Sequence, residues 1–254
     1  RCYRDEDARG DRQPEFTQID IEMSFVKRDD ILELVEGMMG YVFRKTLQVE
    51  LPAHFTRIAY DDSIDRYGTD KPDLRFGMVM QDLSEIAKRS GFQAFKDALA
   101  EGSARQAAAK AKGITQEGGA VKALVVPGKA DYSRKQIEEL EAAAKIYRAK
   151  GMAWMKVNAD GKLEGGASKF FASDPALESE LIERLGAKAG DLILMVADAK
   201  HRVACTALGA VRSKLGKDLG FCDPKKFEFA WIVDFPMFEW NEDESKWDTA
   251  HHMF

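Results

Sequence analysis

The sequence predicts an α+β chain, on three observations. Residues 1–6 and 15–25 alternate polar and apolar side chains, the period of a half-buried strand. A charged, breaker-rich segment, "YGTDKPDLR" at 67–75, reads as a hinge. Beyond it, strand-like and helix-like runs interleave, the texture of an α+β unit of its own.

The elements follow in order. Residues 29–47 are predicted as a helix: Asp29 or Asp30 can cap it, and Ile31, Leu34, Val35, Met38, Val42 and Phe43 recur at helical spacing. After the hinge, 81–89 and the Ala-rich "ARQAAAKAK" at 104–112 are predicted as helices, the latter with a solvated face. "VKALVVPG", 121–128, is a strand stopped by Pro127 and Gly128. Residues 133–150 form a helix capped by Ser133, "MAWMKVN" at 152–158 a strand, and 174–186 a helix. "DLILMVAD" is a strand, 202–219 a helix, and "FEFAWIVDFPMFEW" at 227–240 one buried strand ended by Pro236. No internal repeat is present.

At 254 residues, 45% of them hydrophobic, the chain is long enough for a sizeable core. A formal net charge of −5 excludes a broad basic coat for nucleic acid, so any RNA contact must be local. The three cysteines, at 2, 205 and 222, are odd in number and lack metal-ligand spacing. They read as small thiols of a reducing compartment, and no metal site is expected. The start is too charged for a signal peptide, and no apolar run nears the roughly 20 residues of a membrane span. The missing initiator Met and the abrupt end at "TAHHMF" read as a partial chain.

The opening segment carries the chemistry. Along a strand, side chains alternate faces. Arg4 and Glu6 then share one face, and Phe16, Gln18, Asp20 and Glu22 share another, with Thr17, Ile19, Ile21 and Met23 opposite. Paired as an antiparallel hairpin, the two polar faces merge into one surface holding a guanidinium, carboxylates, an amide and a flat ring. Such a set suits a nucleotide: Arg forks onto phosphate, an aromatic stacks on a base, and Glu accepts from an exocyclic amine. The connection "DARGDRQPE" is long for a hairpin, and Arg9 and Arg12 in it could reach a phosphate backbone. A solvated hairpin laced with surface ion pairs fits the same pattern equally well. His54 and His201 have no partner pattern, and the adjacent His251 and His252 point to opposite sides of an extended chain, which disfavours chelation.

"YRDEDARGDRQPEFTQID" resembles the second signature motif of the class II aminoacyl-tRNA synthetases, in the form of the bacterial-type aspartyl-tRNA synthetases. "YGTDKPDLR", "VPGKADYSRKQIEEL", "AKG" at 149–151, "ALGAVRSKLGKDLG" and "VDFPMFEW" are similar to that family's text, in the family's order. The resemblance implies an antiparallel-sheet catalytic domain, here 1–75 and 224–254, interrupted by an inserted bacterial-type (GAD-like) α+β domain at 76–223. It implies ATP-dependent ligation of L-aspartate to tRNA through an aspartyl-adenylate. The alternatives are an enzyme charging both aspartate and asparagine tRNAs, or an accessory tRNA-binding protein sharing the inserted domain.

The same resemblance assigns roles. Arg4 would hold the α-phosphate of ATP and the aspartate carboxylate and serve as the catalytic cation. Asp5, Glu6 and Gln13 would contact ATP, with Glu6 near the adenine amine, and Phe16 would stack on adenine. Gln18, Asp20 and His251 would line the aspartate pocket. Arg9, Asp11 and Arg12 would meet the tRNA acceptor end. Magnesium is expected on the phosphates, with its protein ligands beyond Phe254. A cytoplasmic homodimer is implied for the full-length protein, and inactivity for a partial chain alone. Tyr3 replaces the family's usual Phe, and 96–120 is longer than the family's segment.

Overall fold

The structure, a computed structural model, describes residues 1–5, 12–241 and 244–251. Two compact units emerge, Arg1–Phe55 and Thr56–Phe254.

In the first unit, β1 (Cys2–Tyr3) pairs antiparallel with β2 (Glu15–Phe16), and α1 (Arg28–Leu47) follows. The strand expected over 15–25 is shorter than its pattern. A strand persists only where a neighbour supplies ladder partners, and among the described residues β2 has one neighbour for two residues. Ile19, Ile21 and Met23 lie beyond the strand and stand exposed. Neither Asp29 nor Asp30 is the N-cap of α1. Lys27 takes that position, and Asp30, in the first turn, accepts the Lys27 N–H at 2.7 Å. Glu36 is buried on α1 and accepts the Phe55 N–H at 2.9 Å, which ties the following chain back to the helix.

The second unit opens with β3 (Thr56–Ala59) and α2 (Tyr60–Tyr67). Next come β4 (Gln81–Asp82), α3 (Ser84–Arg89), α4 (Gln93–Ala111), β5 (Ala120–Val126) and α5 (Arg134–Ile146). Then follow β6 (Ala153–Val157), β7 (Leu163–Glu164), α6 (Pro175–Leu185), β8 (Leu192–Asp198) and α7 (His201–Asp218). The last elements are β9 (Ala230–Val233), β10 (Phe238–Asn241) and β11 (Lys246–Thr249).

Five strands form a fully antiparallel sheet in the order β4-β5-β8-β6-β7. Both faces of its centre are covered, which is why β5 and β8 read as continuous apolar runs. Leu124, Val126, Leu192 and Leu194 point to α5 and α7, against Ile137, Leu140, Leu208 and Leu215. Val121, Ala123, Ile193 and Met195 point the other way, against Phe95, Leu99, Leu177 and Leu181 of α4 and α6. Each of these Val, Leu, Ile, Met or Phe side chains contributes about 1.5–3 kcal/mol on burial.

Local chemistry sets several ends. Ser133 caps α5 as its sequence predicts, in a reciprocal box with Gln136. The helix stops at Ile146, short of 150, where Arg148 turns left-handed at φ 70°. Asp174 caps α6, Pro175 starts it and Gly186 ends it.

Three further expectations need correcting. Residues 81–82 are strand rather than helix, because Gln81 and Asp82 ladder with Ala123 and Lys122. The Ala-rich helix is longer than expected and begins at Gln93. The single buried strand at 227–240 is two half-buried strands, separated where Asp234 adopts φ 59° before Pro236. The first of these, β9, pairs parallel with β3, while β10 and β11 form an antiparallel hairpin.

Candidate functional site

In the opening ribbon, Cys2 lies opposite Phe16 and Tyr3 opposite Glu15, and the Arg4 N–H donates to the Pro14 carbonyl at 2.9 Å. Alternation therefore puts Cys2, Arg4 and Phe16 on one side and Arg1, Tyr3 and Glu15 on the other. The side-chain contacts agree. The Arg4 guanidinium stands 5.4 Å from the centre of the Phe16 ring, and the Cys2 thiol reaches the Gln18 side-chain oxygen at 3.4 Å. On the reverse side, Arg1 Nε meets Glu15 Oε1 at 2.7 Å.

A fixed cation thus shares a surface with a half-buried ring and an amide. Asp5, Arg12, Gln13, Gln18 and Asp20 are exposed rather than part of the core. Glu6, Arg9, Asp11 and His252 lie outside the described residues.

His251 belongs to the second unit. Its Nδ1 lies 3.0 Å from the Pro236 carbonyl, which can only accept, so Nδ1 carries the hydrogen and Nε2 is left as the other ring nitrogen. The ring sits edge-on to Phe235 at 4.6 Å and to Tyr60 at 5.6 Å.

Sequence reasoning missed a second cluster, in the five-stranded unit. Lys122 is wholly buried, a cation inside an apolar strand. Its ammonium donates to Asp65 Oδ1 at 2.6 Å and stands 3.8 Å from Asp82. His201, at the start of α7, places Nε2 3.0 Å from the same Asp65 oxygen and Nδ1 2.6 Å from Glu117. Cys205, one turn on, puts its sulfur 3.5 Å from His201 Nε2. Burial opposes charge on the imidazole, but hydrogen bonds to Asp65, Cys205 and Glu117 outweigh it and push it up to about 12. The hydrogen bond from His201, joined by Lys122 and set against burial, brings Asp65 down to about 2. The i,i+4 spacing of His201 and Cys205 was the readable part of this cluster. Asp65 and Lys122 lie 57 residues apart, which no local pattern reveals.

The family model of class II tRNA synthetases (D, K and N) matches residues 1–254. The chain is 64% identical over 256 residues to the aspartate--tRNA(Asp/Asn) ligase of Treponema denticola, covering all of this chain and 40% of that protein. It is 52% identical over 255 residues to the protein of the same name from Treponema pallidum, of which it covers 39%. It is 48% identical over 255 residues to the aspartate--tRNA ligase of Bacillus licheniformis, of which it covers 40%. The chain thus spans about 40% of the length of the curated relatives it matches. With the family model covering the whole chain, the protein belongs to the class II tRNA synthetases (D, K and N).

Proposed function

We propose that this chain supplies the nucleotide-gripping part of an enzyme that ligates L-aspartate to tRNA through an aspartyl-adenylate. The observation that carries the reading is the placement of Arg4 and Phe16 on one side of the β1–β2 ribbon, 5.4 Å apart. That placement supports a reading in which Arg4 takes phosphate and Phe16 takes the base. The names printed for the similar proteins, aspartate--tRNA(Asp/Asn) ligase and aspartate--tRNA ligase, point to the same chemistry. They do not favour an accessory tRNA-binding role.

In this reading the aspartate carboxylate attacks the α-phosphorus of ATP in line, and the bond to pyrophosphate breaks. The substrate is its own nucleophile, so the protein's work is to hold two anions together and offset the developing charge. Arg4 is suited to bridging both, because a guanidinium stays protonated and forks onto paired oxygens. ATP arrives with magnesium on its phosphates, the ion travelling with the substrate. Phe16 stacks on adenine, with Asp5, Glu6 and Gln13 as further ATP contacts. Gln18 and Asp20, and separately His251, are assigned to aspartate binding. The adenylate then passes aspartate to a tRNA whose acceptor end meets Arg9, Asp11 and Arg12.

We assign 76–223 to an inserted domain and 1–75 with 224–254 to the catalytic domain. The parallel pairing of β3 with β9 supports this, since it brings residues 56–59 beside 230–233 and leaves the five-stranded sheet between them in sequence. A cytoplasmic homodimer belongs to the same reading. Among the described residues no helix is long and apolar enough to cross a membrane.

ATP–pyrophosphate exchange tests the proposal in the longer protein that carries this chain. Arg4→Ala should abolish aspartate-dependent exchange, and near-normal exchange would refute the assignment. Aminoacylation of aspartate and asparagine tRNAs measures specificity.

A further inference from the structure

Asp65, His201 and Cys205 present one carboxylate oxygen, one imidazole nitrogen and one sulfur, all within 4.8 Å of one another. A tetrahedral zinc ion with bonds of about 2.0–2.3 Å holds such atoms about 3.3–3.7 Å apart. His201 Nε2 stands 3.0 Å from Asp65 and 3.5 Å from Cys205, near that spacing, and the half-exposed Asp65 carboxylate is the ligand that must turn to receive an ion. His201 and Cys205 are four apart on α7 and share a helix face. Glu117 holds the other ring nitrogen at 2.6 Å, the carboxylate–imidazole relay that orients metal-binding histidines.

We propose that Asp65, His201 and Cys205 bind a zinc-like divalent cation, with Glu117 orienting the imidazole. His201 and Glu117 line a surface pocket of about 330 Å³, with Lys200, Arg202, Trp240 and Asn241, while Cys205 lies buried behind it. A mixed carboxylate, imidazole and thiolate set selects a borderline transition ion over magnesium or calcium, which take oxygen donors. The buried Lys122 is the feature that opposes a cation here. The charge nevertheless balances: one proton leaves His201 Nε2, one leaves the Cys205 thiol, and one dication enters. The cluster's net charge is unchanged, and a carboxylate can offer one oxygen to Lys122 and the other to the ion.

The full chain, stripped with chelator, is titrated with zinc by calorimetry and with cobalt(II) by absorption. The expected result is one ion per chain, with tetrahedral d–d bands and a thiolate-to-cobalt charge-transfer band. That band should vanish in Cys205→Ser and persist in Cys2→Ser and Cys222→Ser. Glu117→Gln should weaken zinc about 10- to 100-fold. Because Cys205 is buried, its variant counts only where circular dichroism shows a folded chain. Glu117, whose side chain is 66% exposed, provides the arm that folding does not confound. No saturable binding, a charge-transfer band that survives Cys205→Ser in a folded chain, or unaltered affinity in Glu117→Gln would each overturn the site. Any of these would leave the cluster as a salt-bridged lock.

Discussion

The Arg212 guanidinium lies 4.2 Å from the centre of the Phe76 ring, while its Nη2 donates to the carbonyls of Asp73, Phe76 and Gly77 at 2.8–3.1 Å. Its Nε donates to the Met78 carbonyl at 2.9 Å, and the side chain is wholly buried on α7. One cation therefore organises the backbone that leads from the "KPDLR" segment into the five-stranded sheet. Burial lowers the pKa of this guanidinium, but the rings of Tyr67 and Phe76 and the carbonyl dipoles keep the charge tolerable.

Removing that cation leaves several carbonyls without donors and a cavity beneath two rings. Arg212→Ala is expected to cost about 3–5 kcal/mol. Arg212→Lys should recover little of it, because an ammonium cannot reproduce the planar fork. Urea unfolding monitored by fluorescence and circular dichroism measures both, and a loss of less than about 1 kcal/mol for Arg212→Ala would contradict the clamp.

Asp73 and Arg75 make a second test, by pH. Arg75 Nε and Nη2 donate to the Asp73 carboxylate at 2.9 and 2.6 Å, and these bonds hold the group well below the usual carboxylate range. A carboxyl depressed in the folded state stabilises above its unfolded value of about 3.9, and that stabilisation is lost as pH falls further. Melting temperature should therefore drop below about pH 4 in the parent and drop less steeply in Asp73→Asn. Parallel curves for the two proteins would remove Asp73 from the account.

The end of α2 touches α7 through two glycines. A Cβ on Gly209 would lie 2.4 Å from the Tyr67 carbonyl oxygen, and one on Gly68 2.2 Å from that of Cys205. Gly209→Ala must force the backbones apart and should cost well over 1 kcal/mol, with overpacking alone worth about 1–3. Gly128→Ala is the control: Gly128 has φ 66° but no atom within 4 Å of the added carbon, so only left-handed strain of about 1–2 kcal/mol is expected. Thermal melts that rank Gly128→Ala as the more damaging would refute the close approach.

Phe16 speaks to the proposed adenine contact. Base stacking on an aromatic is worth about 1–3 kcal/mol. In the longer protein, Phe16→Ala should raise the KM for ATP about tenfold and leave that for aspartate nearly unchanged. Equal ATP constants in mutant and parent would count against stacking, while a matched rise for both substrates would indicate collapse of the ribbon.

What the sequence determined by itself was whatever depends on near neighbours. The apolar runs of β5 and β8 and the Ser133 cap are local, because periodicity and capping act over a few residues, whereas Arg4 meets Phe16 only through the pairing of β1 with β2. Tertiary structure decided the rest. It shortened the strand at 15–25, broke the one at 227–240 and made 81–82 a strand, since a strand exists only where another chain segment supplies its partners. It also buried Lys122 and Arg212. Their counter-charges and carbonyls come from segments 40 to 139 residues away, so that burial of a charge is paired in space while nothing along the chain announces it.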